Sequence, residues 1–182
     1  MPRWFNLANL FTLLRLILVP YVVGAVLDGR HTRALELFFL AAVTDVIDGA
    51  LARALRLSTR VGAYLDPLAD KCLLSGIFLA LGATGSVPWW LVAVVLGRDI
   101  CILLGVVAAI ALTKVRKFPP SRWGKISTFV QIATTVTFMV KNIWPGPVLQ
   151  VIASAMLWIC LVFTVWSGIH YALRGAQTLR QR

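Results

Sequence analysis

Four carboxylates lie in two apolar stretches, Asp45-Val-Ile-Asp48-Gly49-Ala-Leu-Ala52-Arg53 and, after eight further residues, Gly62-Ala-Tyr-Leu-Asp66-Pro-Leu-Ala-Asp70. The whole chain of 182 residues has only seven acids, so more than half of them are in this short region. A carboxylate placed at membrane depth costs roughly 2.5–3.5 kcal/mol on insertion scales. Four of them together therefore need compensation, either from a water-filled cavity or from bound cations.

The surroundings of these acids are typical of a membrane protein. Hydrophobic residues make up 59% of the chain and the mean hydropathy is +0.84, whereas a soluble domain is about half apolar. Six stretches have the roughly 20 apolar residues that a bilayer-crossing helix needs. They cover residues 9–27, 34–54, 61–83, 87–112, 125–142 and 147–172. The sequence predicts an all-α, polytopic membrane protein with six transmembrane helices, forming a single domain over residues 1–182.

The basic residues predict the orientation of the chain. Its net charge is +11, but the charges lie mostly between apolar stretches, which favours a lipid bilayer over nucleic acid as the partner. With six spans, both termini share a side with the second and fourth loops. That side carries twelve basic residues and the opposite side carries three. The positive-inside rule then predicts that both termini and the acidic region face the cytoplasm.

Helical spacing places the carboxylates on two faces. Asp45 and Asp48 are three residues apart and Asp66 and Asp70 are four apart, so each pair shares one face of its helix. The short connection predicts that the second and third helices are antiparallel neighbours, with their acidic faces meeting. Four carboxylates can hold two Mg²⁺ or Mn²⁺ ions about 4 Å apart, as phosphoryl transfer requires. Space and charge for a phosphate would come from four residues nearby: Gly49, Ala52, Gly62 and Arg53.

The pattern D-x2-D-G-x2-A-R-x8-G-x3-D-x3-D within residues 45–70 resembles the signature of the CDP-alcohol phosphatidyltransferases. All eight defined positions match at every spacing, and the six-helix organisation is similar over nearly the whole chain. The resemblance implies a metal-dependent enzyme that transfers a phosphatidyl group from CDP-diacylglycerol to an alcohol and releases CMP. It implies metal ligands at Asp45, Asp48, Asp66 and Asp70, with Asp70 also acting as general base. The residues expected at the CDP-lipid are Thr44, Gly49, Ala52, Arg53 and Gly62.

A second polar set predicts where the acceptor alcohol binds. Arg98 and Asp99 lie inside the fourth apolar stretch, and because helix neighbours do not face each other we expect their partners elsewhere. Together with polar residues that open the first and fifth stretches, they predict a basic recess for an acceptor that carries a phosphate. The expected members of this recess are Arg15, Arg98, Lys125, Thr128 and Gln131.

Two branches of the family fit this recess. The stretches Asn9-Leu-Phe-Thr12-Leu-Leu-Arg15 and Gly124-Lys125-Ile-Ser-Thr128-Phe-Val-Gln131 resemble the bacterial phosphatidylglycerophosphate synthase branch, which implies sn-glycerol 3-phosphate as acceptor, a bacterial-type inner membrane and a homodimer. Arg98-Asp99 stands where that branch often has Arg-Glu, and it also resembles the cardiolipin synthases, whose acceptor is phosphatidylglycerol. The inositol-phosphate branch of the same family is a further option for the acceptor. An ion-coupled transporter is a different reading of the buried charges, but transporters usually spread such groups along several helices.

Overall fold

The chain folds into six helices: α1 (Leu7–Leu27), α2 (His31–Ala54), α3 (Gly62–Ala83), α4 (Trp89–Leu112), α5 (Arg122–Ile143) and α6 (Pro147–Arg180). The computed structural model describes the backbone of residues 7–54, 62–112 and 122–180, and the side chains of residues 13–47, 69–105 and 122–173. The predicted all-helical class and the six helices are confirmed within these residues. Every predicted boundary lies within three residues of the observed one, except that α6 continues to Arg180.

Glycines end two of the helices where the chain reverses. Gly29 has a φ of 72° and Gly85 a φ of 70°, a left-handed conformation that glycine adopts without steric cost. After α1, the Gly29 amide donates to the Val26 carbonyl over 3.1 Å and the Arg30 amide donates to the Ala25 carbonyl over 2.8 Å. This pair of bonds is the Schellman motif, which satisfies the last carbonyls of a helix. The chain can therefore turn directly from α1 into α2.

The packing order differs from the expected one. α1 packs against both α2 and α3, α5 packs against α2, α3 and α6, and α4 packs against α3 and α6. In the part of the chain that the structure describes, α2 and α3 have no direct packing contact, so the expectation that they are adjacent is not met there. α1 and α3 approach closely at Gly76, where an added Cβ would lie 3.0 Å from Cγ2 of Val23.

Over its first four turns, before the buried Phe138 and Met139, helix α5 has polar residues inside the bundle and apolar residues outside. Ser127, Gln131 and Thr134 are fully buried, whereas Phe129 is 69% exposed. This is the reverse of a surface helix in a soluble protein, whose apolar stripe faces the core. Judged by length and composition alone, one segment of the described residues, Pro147–Leu173 in α6, is apolar enough to cross a membrane.

Candidate active site

Arg15 on α1 joins the first and the last acid of the predicted site. Its Nη2 donates to Oδ1 of Asp45 on α2, and its Nη1 donates to Oδ1 of Asp70 on α3 over 2.5 Å. The arginine side chain is 3% exposed, while the two carboxylates are 44% and 53% exposed. Residues from three helices thus meet here, and two of the four predicted metal ligands form ion pairs with the same arginine.

The other two acids of the motif lie on the same helices. Asp48 is one turn after Asp45 in α2, and Asp66 is one turn before Asp70 in α3. Their side chains fall outside the described residues. So do those of the residues expected at the CDP-lipid apart from Thr44, namely Gly49, Ala52, Arg53 and Gly62. Among the described side chains, no group of three or more His, Cys, Asp or Glu residues is arranged to hold a metal ion.

The described half of the site has the chemistry that a divalent cation requires. Asp45 and Asp70 direct carboxylate oxygens at the same positively charged group. Hard divalent cations bind oxygen ligands, carboxylates above all. Both carboxylates are about half exposed, so the described protein atoms leave an ion access to them. Asp45 and Asp70 are therefore suitable ligands for a divalent metal. The Arg15 guanidinium between them shows that a positive charge is stabilised at this position.

A second charged cluster joins α3, α4 and α6. Oδ1 of Asp99 accepts hydrogen bonds from Nζ of Lys71 at 2.6 Å and from Nη1 of Arg98 at 2.7 Å. Nη2 of Arg98 donates to Oγ of Ser167 on α6 over 2.6 Å, and the guanidinium carbon lies 5.9 Å from the ring centroid of Tyr171. The expectation that Arg98 and Asp99 would find their partners elsewhere is therefore only half right, because the long arginine side chain also reaches back to its neighbour.

This cluster begins, on α3, at the residue that follows the predicted general base in the chain. Lys71 directly follows Asp70 in the chain, and it shares the single carboxylate of Asp99 with Arg98. Two cations on one carboxylate leave one unit of net positive charge. Sequence reasoning gave no role to Lys71 or Ser167. The available signals were a lysine directly after the motif and a serine one turn after Thr164 in α6.

The hydroxyl groups of two predicted site residues, Thr44 and Thr128, bond to the backbone of their own helices. Oγ1 of Thr44 lies 2.9 Å from the backbone carbonyls of both Leu40 and Ala41. Oγ1 of Thr128 donates to the carbonyl of Gly124 over 3.1 Å. Back-bonding of this kind is common for threonine in helices, and each hydroxyl oxygen can still accept a hydrogen bond.

Two further members of the predicted recess, Gln131 and Lys125, lie on α5. Gln131 is fully buried and donates through Nε2 to Oγ1 of Thr164 over 3.4 Å, which ties α5 to α6. Lys125 is exposed at the start of α5. The structure brings together Arg15, Asp45 and Asp70.

Comparison with known proteins decides which family this arrangement represents. A family model described as CDP-alcohol phosphatidyltransferase matches residues 5–166. The chain belongs to the CDP-alcohol phosphatidyltransferase family. The resemblance found in the motif is thus confirmed, and this phosphatidyltransferase is an enzyme of phospholipid biosynthesis. Members of the family are membrane-associated lipid enzymes and generally depend on a divalent metal.

Relatives of this phosphatidyltransferase match over almost its full length. A probable phosphatidylglycerophosphate synthase of Mycobacterium tuberculosis is 34% identical over 97% of this chain and 85% of its own. The CDP-diacylglycerol–glycerol-3-phosphate 3-phosphatidyltransferase of Bacillus subtilis is 32% identical over 97% of this chain and 98% of its own. A putative cardiolipin synthase of Mycobacterium bovis is 28% identical over 98% of this chain and 87% of its own.

Proposed function

We propose that this enzyme transfers the phosphatidyl group of CDP-diacylglycerol to sn-glycerol 3-phosphate and releases CMP. The observation that carries the proposal is the meeting of Asp45 and Asp70, from two helices, on one buried cation. Such a pair can hold and neutralise a charged diphosphate through metal ions. The choice of acceptor is supported by relatives named for phosphatidylglycerophosphate synthesis, which are 32% and 34% identical over 97% of the chain.

The proposed reaction is a displacement at the phosphorus of the phosphatidyl group. A hydroxyl oxygen of the acceptor forms a bond to this phosphorus, its proton passes to the carboxylate of Asp70, and the bond to the CMP oxygen breaks with its electron pair leaving on CMP. An alcohol is a weak nucleophile at neutral pH, so it needs a base. Two divalent ions, Mg²⁺ or Mn²⁺, would stabilise the charge that builds up on the diphosphate. The residues proposed to hold them are Asp45, Asp48, Asp66 and Asp70.

The nucleotide side of the site is proposed to lie along α2 and the start of α3. Arg53 would bind phosphate oxygens, for which a planar guanidinium is well suited. Gly49, Ala52 and Gly62 have no bulky side chains and leave space for the diphosphate. The Thr44 hydroxyl can accept one further hydrogen bond. These residues lie within about two turns of Asp45 or Asp66 along their helices. The proposed CDP-lipid contacts are Thr44, Gly49, Ala52, Arg53 and Gly62.

The acceptor is proposed to bind on the positively charged side of Asp70. Lys71 and Arg98 share one carboxylate, that of Asp99, and the excess positive charge favours a dianion such as glycerol 3-phosphate. The acceptor contacts proposed from the sequence are Arg15, Arg98, Lys125, Thr128 and Gln131. Arg98 and Gln131 are buried and already bonded to Ser167 and Thr164, so their share in binding includes holding α6 in place.

The six helices are proposed to cross a bacterial-type inner membrane, with both termini and the active site on the cytoplasmic side. Each helix has 21 to 34 residues, which at about 1.5 Å per residue suffices for a hydrocarbon core of about 30 Å. Large apolar side chains are exposed on every helix, as lipid contact requires. Examples are Leu13, Phe39, Leu79, Ile100, Phe129 and Trp158. A single domain and a homodimer in the membrane belong to the same proposal.

A second candidate is transfer to phosphatidylglycerol, which would make cardiolipin. It is favoured by the 28% identity to a putative cardiolipin synthase over 98% of the chain and by Arg98-Asp99, the residue pair that resembles that branch. Phosphatidylglycerol carries one phosphate charge and is anchored by its acyl chains. It therefore depends less on a basic recess than glycerol 3-phosphate does.

A panel of acceptors distinguishes the two candidates. Purified enzyme is incubated with CDP-diacylglycerol, Mg²⁺ or Mn²⁺, and glycerol 3-phosphate, phosphatidylglycerol or inositol phosphate. CMP release and the lipid product are measured, with EDTA as the control. The expected result is metal-dependent phosphatidylglycerophosphate from glycerol 3-phosphate. Cardiolipin from phosphatidylglycerol, with no product from glycerol 3-phosphate at any concentration, would refute the proposed acceptor.

Substitutions in the recess test the same point. We expect Lys125→Ala and Arg98→Ala each to raise the KM for glycerol 3-phosphate about 10- to 150-fold, because charge-assisted contacts contribute about 1.5–3 kcal/mol. The KM for CDP-diacylglycerol should change far less. The matched control is Lys141→Ala at the opposite end of α5, which should leave both constants unchanged. Equal changes for Lys125→Ala and Lys141→Ala would contradict an acceptor contact at Lys125.

A further inference from the structure

Arg15 is the most buried charged side chain among those the structure describes, with 3% of its surface exposed. A charge is buried only where partners compensate for its lost hydration. The partners of Arg15 are Asp45 and Asp70, which lie on two different helices. The position of the guanidinium is therefore fixed by two of the carboxylates that the proposed function assigns to the metal ions.

The contact uses the same atoms that a metal would need. Oδ1 of Asp45 and Oδ1 of Asp70 each accept a hydrogen bond from a different nitrogen of the guanidinium. A divalent cation binds such carboxylate oxygens directly. A guanidinium and a metal ion repel each other at these distances, so the guanidinium weakens the binding of a metal ion to these carboxylates. The other buried arginine, Arg98, pairs with Asp99, which is outside the motif.

We propose that Arg15 is a positioning residue that competes with the metal for Asp45 and Asp70. Its guanidinium holds the two carboxylates of α2 and α3 together, and at least one of these ion pairs breaks when a divalent ion binds. The guanidinium is then available to a phosphate of the substrate, which couples metal binding to substrate binding. This inference rests on the metal site of the proposed function, and it adds that Arg15 lowers the affinity of that site for metal.

Metal affinity measured without substrate tests the competition. The full-length protein is reconstituted in lipid nanodiscs, and Mn²⁺ binding is followed by electron paramagnetic resonance. We expect Arg15→Gln to bind Mn²⁺ about tenfold more tightly than the wild type. This is the lower end of the effect of a hydrogen bond to a charged group, because both carboxylates are half exposed. Arg15→Lys keeps the charge but loses the planar fork by which two nitrogens each bind one carboxylate, so we expect a gain of about threefold.

The control is Arg33→Gln. Arg33 is exposed in the first turn of α2, about 18 Å along the helix from Asp45, so its substitution removes one positive charge without touching the site. We expect its affinity for Mn²⁺ to equal that of the wild type. Thermal unfolding of each variant identifies any that fail to fold.

The results separate this inference from the proposed function. Tighter binding by Arg15→Gln but not by Arg33→Gln supports the competition. Unchanged or weaker binding by Arg15→Gln overturns it, because Arg15 then only supports the fold or the ligand geometry. If Arg15→Gln does not fold, the direction of the change in Arg15→Lys decides in the same way. A wild type that binds no Mn²⁺ would instead refute the metal site itself.

Discussion

Asp45 provides a test of the metal site at the scale of one residue. Asp45→Asn preserves the size of the side chain but removes the charge that attracts a cation, and Asp66→Asn does the same on α3. We expect each substitution to abolish CMP release, because an ion in the site loses a charged ligand. Activity is measured with CDP-diacylglycerol and glycerol 3-phosphate, and thermal unfolding shows whether the protein is intact.

A matched control for these variants is Asp28→Asn. Asp28 is 54% exposed in the turn after α1 and pairs with Arg30. Its substitution also removes a carboxylate paired with an arginine, but at a position outside the proposed site. It should retain full activity. Full activity of Asp45→Asn, or of the wild type in EDTA, would contradict the proposed metal dependence.

Asp70 has a different proposed role, and the difference can be measured. As a general base it acts on the reacting hydroxyl, so Asp70→Asn should reduce kcat by about 10²- to 10⁴-fold. The affinity for CDP-diacylglycerol should fall much less, since three other aspartates would still hold the metal ions. Binding is measured directly with labelled CDP-diacylglycerol. If binding and turnover fall in parallel, Asp70 serves mainly as a metal ligand.

At the scale of helices, the site depends on how closely α1 approaches α3. Gly76 permits this approach, since an added Cβ would lie 3.0 Å from Cγ2 of Val23. Gly76→Val should lower the free energy of unfolding by about 1–3 kcal/mol through overpacking. It should also reduce activity, because α1 carries Arg15 and α3 carries Asp70. Thermal unfolding and CMP release check the two effects.

The control for the helix contact is a glycine that faces open space. Gly24 on α1 has no atom within 4 Å of an added Cβ, so Gly24→Ala should be neutral or slightly stabilising through its higher helix propensity. Comparable destabilisation by Gly24→Ala and Gly76→Val would show that the close approach of α1 and α3 is not the cause.

The helices themselves were predictable because their ends are marked locally. Gly29 and Gly85 end α1 and α3, and the lengths of the apolar stretches indicate the other helix ends. The predicted boundaries therefore agree with the structure to within three residues, except at the end of α6. The packing order was not predictable. A short connection suggests that α2 and α3 are neighbours, but in the described residues α1 packs against both of them. Such a choice of partner depends on side-chain fit over long sequence separations. The motif likewise identified Asp45 and Asp70, but it gave no sign that Arg15 would pair with both.

The whole molecule has an unusual distribution of polarity. Among the described side chains, several polar ones lie at the contacts of α4, α5 and α6, where Gln131, Thr164 and Ser167 are fully buried, while large apolar residues are exposed on the outside of every helix. In water such a surface would aggregate. In a bilayer it is the expected arrangement, because lipid supplies no hydrogen bonds and polar groups must find partners between helices.

The proposed topology predicts on which side of the membrane each connection lies. A reporter fused after Arg182, behind six spans, should be cytoplasmic, so green fluorescent protein should fluoresce there and alkaline phosphatase should be inactive. A fusion after Gly85, behind three spans, should give the opposite pair of results. Basic residues determine this orientation, since cytoplasmic loops retain Lys and Arg. Active phosphatase at both positions would place both on the outer side of the membrane. An even number of spans, and not the proposed three, would then separate Gly85 from Arg182, and a cytoplasmic C-terminus would be excluded.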